Sequence, residues 1–131
     1  ILTAEAKGIT LAHEMAKQNR DEHYIVARKA KKLYMAGVFE SQVKSITTDA
    51  RQTLYLDINE ALMMKGKRIL IVDDVVSTGE SLNALLELVN KAGGIVSGMA
   101  TVLAEGSAAA RKDIIYLEKL PLFNSDGTIL A

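Results

Sequence analysis

Two adjacent carboxylates, Asp73 and Asp74, stand directly before a short hydroxyl-rich turn holding Ser77, Thr78, Gly79 and Ser81. The two features suit different parts of one ligand. N–H groups and hydroxyls of a small, glycine-containing turn can surround a phosphate, above all where a helix begins and its first N–H groups lack partners. Carboxylates cannot hold that anion. They accept hydrogen bonds from sugar hydroxyls or face a hydrated Mg²⁺. Together they point to a phosphorylated sugar, anchored at its phosphate end by Val76, Ser77, Thr78, Gly79, Glu80 and Ser81.

The flanking elements must hold these groups in place. Ile69 to Val72 is an unbroken, mostly β-branched apolar run, too short for a helix, which predicts a strand covered on both faces as in a parallel sheet. It is expected to deliver the acids at its C-terminal end. Leu82, Leu85, Leu86 and Val89 follow with helical spacing. In an open α/β sheet, ligands bind at the carboxyl ends of strands. A Walker B strand would also end in acids, but it needs a Gly-x-x-x-x-Gly-Lys-Ser/Thr loop, which the sequence lacks. A phosphoacceptor receiver domain would show a later apolar run ending in Asp, and none does.

Upstream, Ile1 to Thr3 reads as a strand tail, and a helix to about Gln18 uses Ile9, Ala12, Met15 and Ala16. Gly8 between them lets backbone N–H groups approach an anion, and Lys7 adds a cation. Tyr24 to Ala27 reads as a short strand. Arg28, Lys29, Lys31 and Lys32 then crowd into five positions, a charge run that by itself reads as a solvated basic loop. Residues 34–39 read as loop, and Gln42–Thr48 with Arg51–Asp57 as a hairpin around Asp49-Ala50. A short helix capped by Asp57 or Asn59 ends at Met64, whose pair with Met63 reads as core filling. Ala92-Gly93-Gly94 supplies a C-cap to the main helix. Ile95 to Leu103 reads as a strand with Glu105 beyond its end, residues 108–113 as a basic loop or short helix, and Ile114 to Leu117 as a last strand. Phe123 is expected in the core, and His13 and His23 on the surface.

The chain of 131 residues predicts one domain. Hydrophobic content of 49% with 24% charged residues describes an ordinary globule. Sixteen basic and sixteen acidic side chains balance, which argues against general nucleic-acid binding. Cysteine is absent, so disulfides and thiolate metal sites are excluded, in keeping with the cytoplasm. No apolar run approaches the ~20 residues of a membrane span.

Ile71-Val72-Asp73-Asp74-Val75-Val76-Ser77-Thr78-Gly79 resembles the phosphoribosyl-pyrophosphate (PRPP) signature of type I phosphoribosyltransferases. Glu5-Ala6-Lys7-Gly8-Ile9 is similar to the pyrophosphate loop of purine members, with Lys where Arg is common. Arg28-Lys29-Ala30-Lys31-Lys32-Leu33 resembles the Arg-Lys-x-x-Lys-Leu of adenine phosphoribosyltransferases, although Tyr34 replaces their usual Pro. Val43-Lys44-Ser45-Ile46-Thr47 looks more like xanthine enzymes, and Thr47 falls where adenine enzymes commonly carry a Glu, with Glu40 not far away.

The resemblance implies a mostly parallel twisted α/β sheet flanked by helices, with a flexible β-hairpin over the site. It implies transfer between a purine base (adenine foremost, xanthine or hypoxanthine-guanine next) plus PRPP and a nucleoside monophosphate plus pyrophosphate, with Mg²⁺. Asp73 and Asp74 would act on the ribose and within reach of Mg²⁺. Ala6, Lys7, Gly8, Arg28, Lys29 and Lys32 would bind pyrophosphate, and Glu105 would lie near base or metal. A homodimer is expected, because the basic loop is often shared between subunits. The alternative from another class is a PRPP-sensing regulator without catalysis. Residues 1–131 would form one core domain, with the N-terminal hood of purine members expected upstream of Ile1.

Overall fold

The computed structural model describes residues 1–44 and 51–130. Seven strands and three helices follow one another as β1 (Leu2–Ala4), α1 (Gly8–Asn19), β2 (Ile25–Ala27), β3 (Val38–Lys44), β4 (Arg51–Asp57), α2 (Ile58–Met64), β5 (Arg68–Val76), α3 (Glu80–Ala92), β6 (Ile95–Glu105) and β7 (Ile115–Leu120), with a 3₁₀ turn over Gly106–Ala110. Five strands make a sheet of order β2-β1-β5-β6-β7, every pairing parallel. The fold class is the expected one. β3 and β4 form a separate antiparallel ribbon running from Val38↔Asp57 to Lys44↔Arg51.

The apolar run of β5 explains its central place. Ile71 and Val72 point to opposite faces, and both are fully buried. α1 packs on the sheet through a small-residue stripe, Gly8, Ala12 and Ala16, which lets helix and strands approach closely. α3 contributes Leu82, Leu85, Leu88 and Val89 to the core. Burying each such side chain stabilises the fold by about 1.5–3 kcal/mol. α3 stops at Gly93 (φ 78°), whose left-handed backbone lets Gly94 N–H reach Val89 O at 2.9 Å.

Chain order reverses between β1 and β5. From β1 the chain moves outward to β2; from β5 it moves the other way through β6 to β7. The crevice outside the carboxyl ends of two such neighbours is where open α/β sheets bind ligands.

Several expectations need correction. β5 does not stop at the acids: Asp73 pairs with Thr101, Val75 with Leu103 and Val76 with Ala104, so the carboxylates lie inside the strand. β6 runs on to Glu105 and β7 to Leu120. β3 begins at Val38, so residues 38 and 39 are strand. Asp57 occupies the N-cap position of α2, but its Oδ1 accepts from Ala36 N–H at 3.1 Å and its Oδ2 from Asn59 Nδ2 at 3.2 Å, so neither residue caps the helix. Met64 fills the core at 0% exposure while Met63 is 38% exposed. Phe123 is 54% exposed, because Phe123 and Ile129 pair in a small C-terminal bridge beside the core. The Asp49-Ala50 turn and Thr47 lie outside the described residues.

Candidate active site

Three segments distant in sequence meet at the carboxyl ends of β1, β2 and β5. Glu5 to Lys7 join β1 to α1, through a cis peptide bond between Glu5 and Ala6. Gly8 then opens the helix against the central strand. A methyl group there would stand 3.2 Å from Asp73 Oδ1 and collide with Thr3 Oγ1. The Lys7-Gly8 turn thus lies directly beside the first of the paired acids, as only glycine allows.

β2 ends at Ala27, whose carbonyl accepts Glu5 N–H at 3.0 Å. The basic segment then folds over Glu5. Lys29 N–H donates to Glu5 Oε1 at 2.6 Å, and Arg28 Nη1 stands 3.6 Å from Glu5 Oε2. The Lys29 N–H, with the charges of Lys32 and Arg28, holds the Glu5 carboxyl below its ordinary range against a smaller desolvation effect. Arg28 also exchanges two backbone hydrogen bonds of 2.8 Å with Tyr55 of β4. Four predicted cations, Lys7, Arg28, Lys29 and Lys32, therefore gather around one loop, and the hairpin is stitched to the same segment.

Asp73 is half-buried. Burial pushes its carboxyl up to about 7, and the Asp74 carboxyl adds to this. The Asp74 N–H, donating to Asp73 Oδ1 at 2.9 Å, and the Lys29 charge pull the other way. A cavity of about 140 Å³ opens at Asp73, Val75, Val76, Ser77, Thr78, Gly79, Glu80, Ser81 and Leu82, so every residue expected to cradle a phosphate lines it together with Asp73. Gly79 has φ 83° at the N-cap of α3, a left-handed conformation suited to glycine, and aims the first N–H groups of the helix at that space. Asp74 does not line the cavity. A larger cavity of about 920 Å³, bordered by Ile1, Arg20, Arg68 and Ser97, lies at the opposite, amino-terminal end of the strands and away from these groups.

Glu105 ends β6, one residue beyond Ala104, the partner of Val76, and does not line the small cavity. Glu40 sits elsewhere. Its carbonyl accepts Lys91 Nζ at 2.7 Å, and Lys91 is near the far end of α3, about 16 Å along the helix from the phosphate turn. Arg111, which no local pattern singled out, reaches the phosphate turn: Nη1 would meet a methyl group on Gly79 at 2.7 Å. Its only sequence signal is a cation in a connection that leaves the carboxyl end of a strand.

The donor set fits Mg²⁺ of one kind. Asp73 and Asp74 offer hard oxygen ligands, yet among the described residues no three His, Cys, Asp or Glu side chains gather as a metal cage. Two carboxylates suit an ion held mainly by ligand phosphates and water. Among the described residues no helix is long and apolar enough to cross a membrane.

Residues 1–124 match the family model described as phosphoribosyl transferase domain. The chain is 32% identical over 127 residues to the xanthine phosphoribosyltransferase of Clostridium tetani, covering 93% of this chain and 66% of that one. It is 36% identical over 107 residues to the hypoxanthine/guanine phosphoribosyltransferase of Methanocella paludicola, covering 81% and 51%. The adenine phosphoribosyltransferase structure from Rhodothermus marinus superposes with a TM-score of 0.78 at 25% identity, over 91% of this chain and 68% of that chain. The chain belongs to the phosphoribosyltransferase family, in its type I purine branch. It spans 66% and 51% of the lengths of the two curated relatives.

Proposed function

We propose that this domain transfers the 5-phosphoribosyl group of PRPP to a purine base, releasing pyrophosphate and forming a nucleoside monophosphate. The observation that carries the proposal is the convergence on Asp73 of two anion sites, the Lys7-Gly8 turn with its surrounding cations and the Ser77–Ser81 turn. Two anion sites on either side of a carboxylate suit a sugar phosphorylated at both ends.

Ser77, Thr78, Gly79 and Ser81, with Val76 and Glu80 framing the turn, receive the 5′-phosphate on backbone N–H and hydroxyl donors. Asp73 and Asp74 accept from the ribose hydroxyls and favour the positive charge that develops on the ring as the bond from C1′ to pyrophosphate breaks. Ala6, Lys7 and Gly8 with Arg28, Lys29 and Lys32 take up the departing diphosphate. The base nitrogen forms the new bond to C1′ and gives up its proton. When bound, Mg²⁺ supplies further neutralisation of the diphosphate, with Asp73 and Asp74 as the residues to hold it. The rate gain comes from position and charge complementarity. Glu105 lies at the same end of the sheet and is assigned to the vicinity of base or metal.

Adenine is the proposed base, supported by the Arg28-Lys29…Lys32-Leu33 string and by the likeness to the R. marinus adenine enzyme. Xanthine or hypoxanthine-guanine is the second choice, supported by the curated relatives' names. The protein is proposed to act as a cytoplasmic homodimer. Assaying pyrophosphate release from PRPP and Mg²⁺ with adenine, hypoxanthine, guanine and xanthine, on the full-length chain, tests the activity and the choice of base. Adenine should be turned over fastest. Ribose 5-phosphate binding without turnover of any base would establish the regulator instead. Asp73→Asn with Asp74→Asn should abolish turnover in a folded protein, and retained turnover would refute the role of these acids.

A further inference from the structure

We propose that Arg111, held in place by Asp113, is a positioning residue for the phosphate turn and adds through Gly79 a side-chain positive charge to that of the helix N–H groups. The inference rests on the proposed seat of the 5′-phosphate in that turn. Charge motivates it. Among the described residues the small cavity is lined by two acidic residues, Asp73 and Glu80, and by no cation, although a phosphate monoester brings close to two negative charges. The cations around Glu5 serve the other end of the ligand.

Geometry places Arg111 where the missing charge is needed. Its backbone leaves the 3₁₀ turn after β6, with Arg111 N–H donating to Ala108 O at 3.1 Å. Its side chain then makes a fork on Asp113, Nε to Oδ1 at 2.9 Å and Nη2 to Oδ2 at 2.7 Å. Such a two-bond pair fixes the guanidinium plane. With Nε and Nη2 turned to Asp113, Nη1 abuts Gly79, where an added methyl group would stand 2.7 Å from it. Arg111 is not among the described residues lining the cavity, and it reaches the turn at Gly79. Gly79 then serves twice: it takes the φ of 83°, and its lack of a side chain leaves room for Arg111 Nη1 beside the turn. Asp113 is over half exposed, and solvent screens its charge more than the half-covered guanidinium's.

The test measures binding of ribose 5-phosphate and, separately, of pyrophosphate by calorimetry, on the full-length wild type and on Arg111→Gln and Arg111→Lys, each checked for an unchanged melting temperature. Arg111→Gln should weaken ribose 5-phosphate about 3- to 10-fold, the scale of one charge acting across a short, partly screened distance. It should also flatten the salt dependence of that binding and leave pyrophosphate affinity unchanged. Arg111→Lys, which keeps the charge without the fork, should recover most of the loss. Equal binding by wild type and Arg111→Gln would overturn the proposal while leaving the phosphate seat intact. Equal losses in both variants with unaltered salt dependence, or a parallel loss of pyrophosphate, would reduce Arg111 to packing and overturn it too. A wild type that binds no ribose 5-phosphate would overturn the phosphate seat itself, and this inference with it.

Discussion

Asp73→Asn should make the ligand-free protein more stable at alkaline pH. Burial, with the Asp74 carboxyl beside it, raises the Asp73 pKa from an ordinary 3.8 to about 7. Above pH 7 the native state must hold a charge that the unfolded chain holds at no cost. Below about pH 4 the carboxyl is neutral in both states and the penalty vanishes. Stability from this group is thus present at low pH and is lost as pH rises from about 4 through 7. A shift of about three units corresponds to roughly 4 kcal/mol. Asp73 is only half-buried and water screens it, so about 1–3 kcal/mol is the expected size. Asn keeps an oxygen for the Asp74 N–H and carries no charge. At about 4 °C per kcal/mol for a chain of this length, the variant should melt roughly 4–12 °C higher at pH 8, in a buffer free of divalent cations and phosphate. The gain should shrink towards zero at pH 4. Thermal unfolding followed by circular dichroism across that range is the assay. A variant that is less stable at pH 8, or a gain of the same size at both pH values, would refute the burial argument.

Other substitutions probe the frame. Gly8→Ala drives a methyl group into Thr3 Oγ1 and towards Asp73, so it should cost about 1–3 kcal/mol in chemical denaturation and lower turnover. Leu85→Ala empties a fully buried position on α3 and should cost about 2–5 kcal/mol in chemical denaturation with little change in base specificity. Glu5→Gln removes the carboxylate that gathers Arg28 and Lys29, and titration with pyrophosphate should show weaker binding while ribose 5-phosphate is unaffected. Because the Glu5 carboxyl is held below its ordinary range, wild-type pyrophosphate binding should fail as pH drops through that lowered pKa, and the Gln variant should lack this acid limb.

The core of the site was legible in the sequence because its chemistry is local. The run Ile69 to Val72, the paired acids and the glycine turn all act on their immediate neighbours, and strand, helix and cradle stand where their spacing put them. The extension of β5 to Val76 was not legible. Acids are poor strand formers, and only pairing with β6 carries the strand past them. Phe123 misled for the opposite reason: an apolar side chain favours burial, yet local pairing with Ile129 leaves it half in solvent. Arg111 gave no local cue, since its place depends on how the connection from β6 to β7 meets the N-terminal end of α3. Nor could spacing alone say that Gly8 would touch Asp73.

That contact depends on the pairing of Leu2 with Ile71. The two neighbours are far apart along the chain, and a long loop must close before they meet. The diphosphate side of the site therefore requires β1 to dock beside β5. A peptide spanning only β5 and α3 could keep the anion turn, but it would have no floor for a diphosphate.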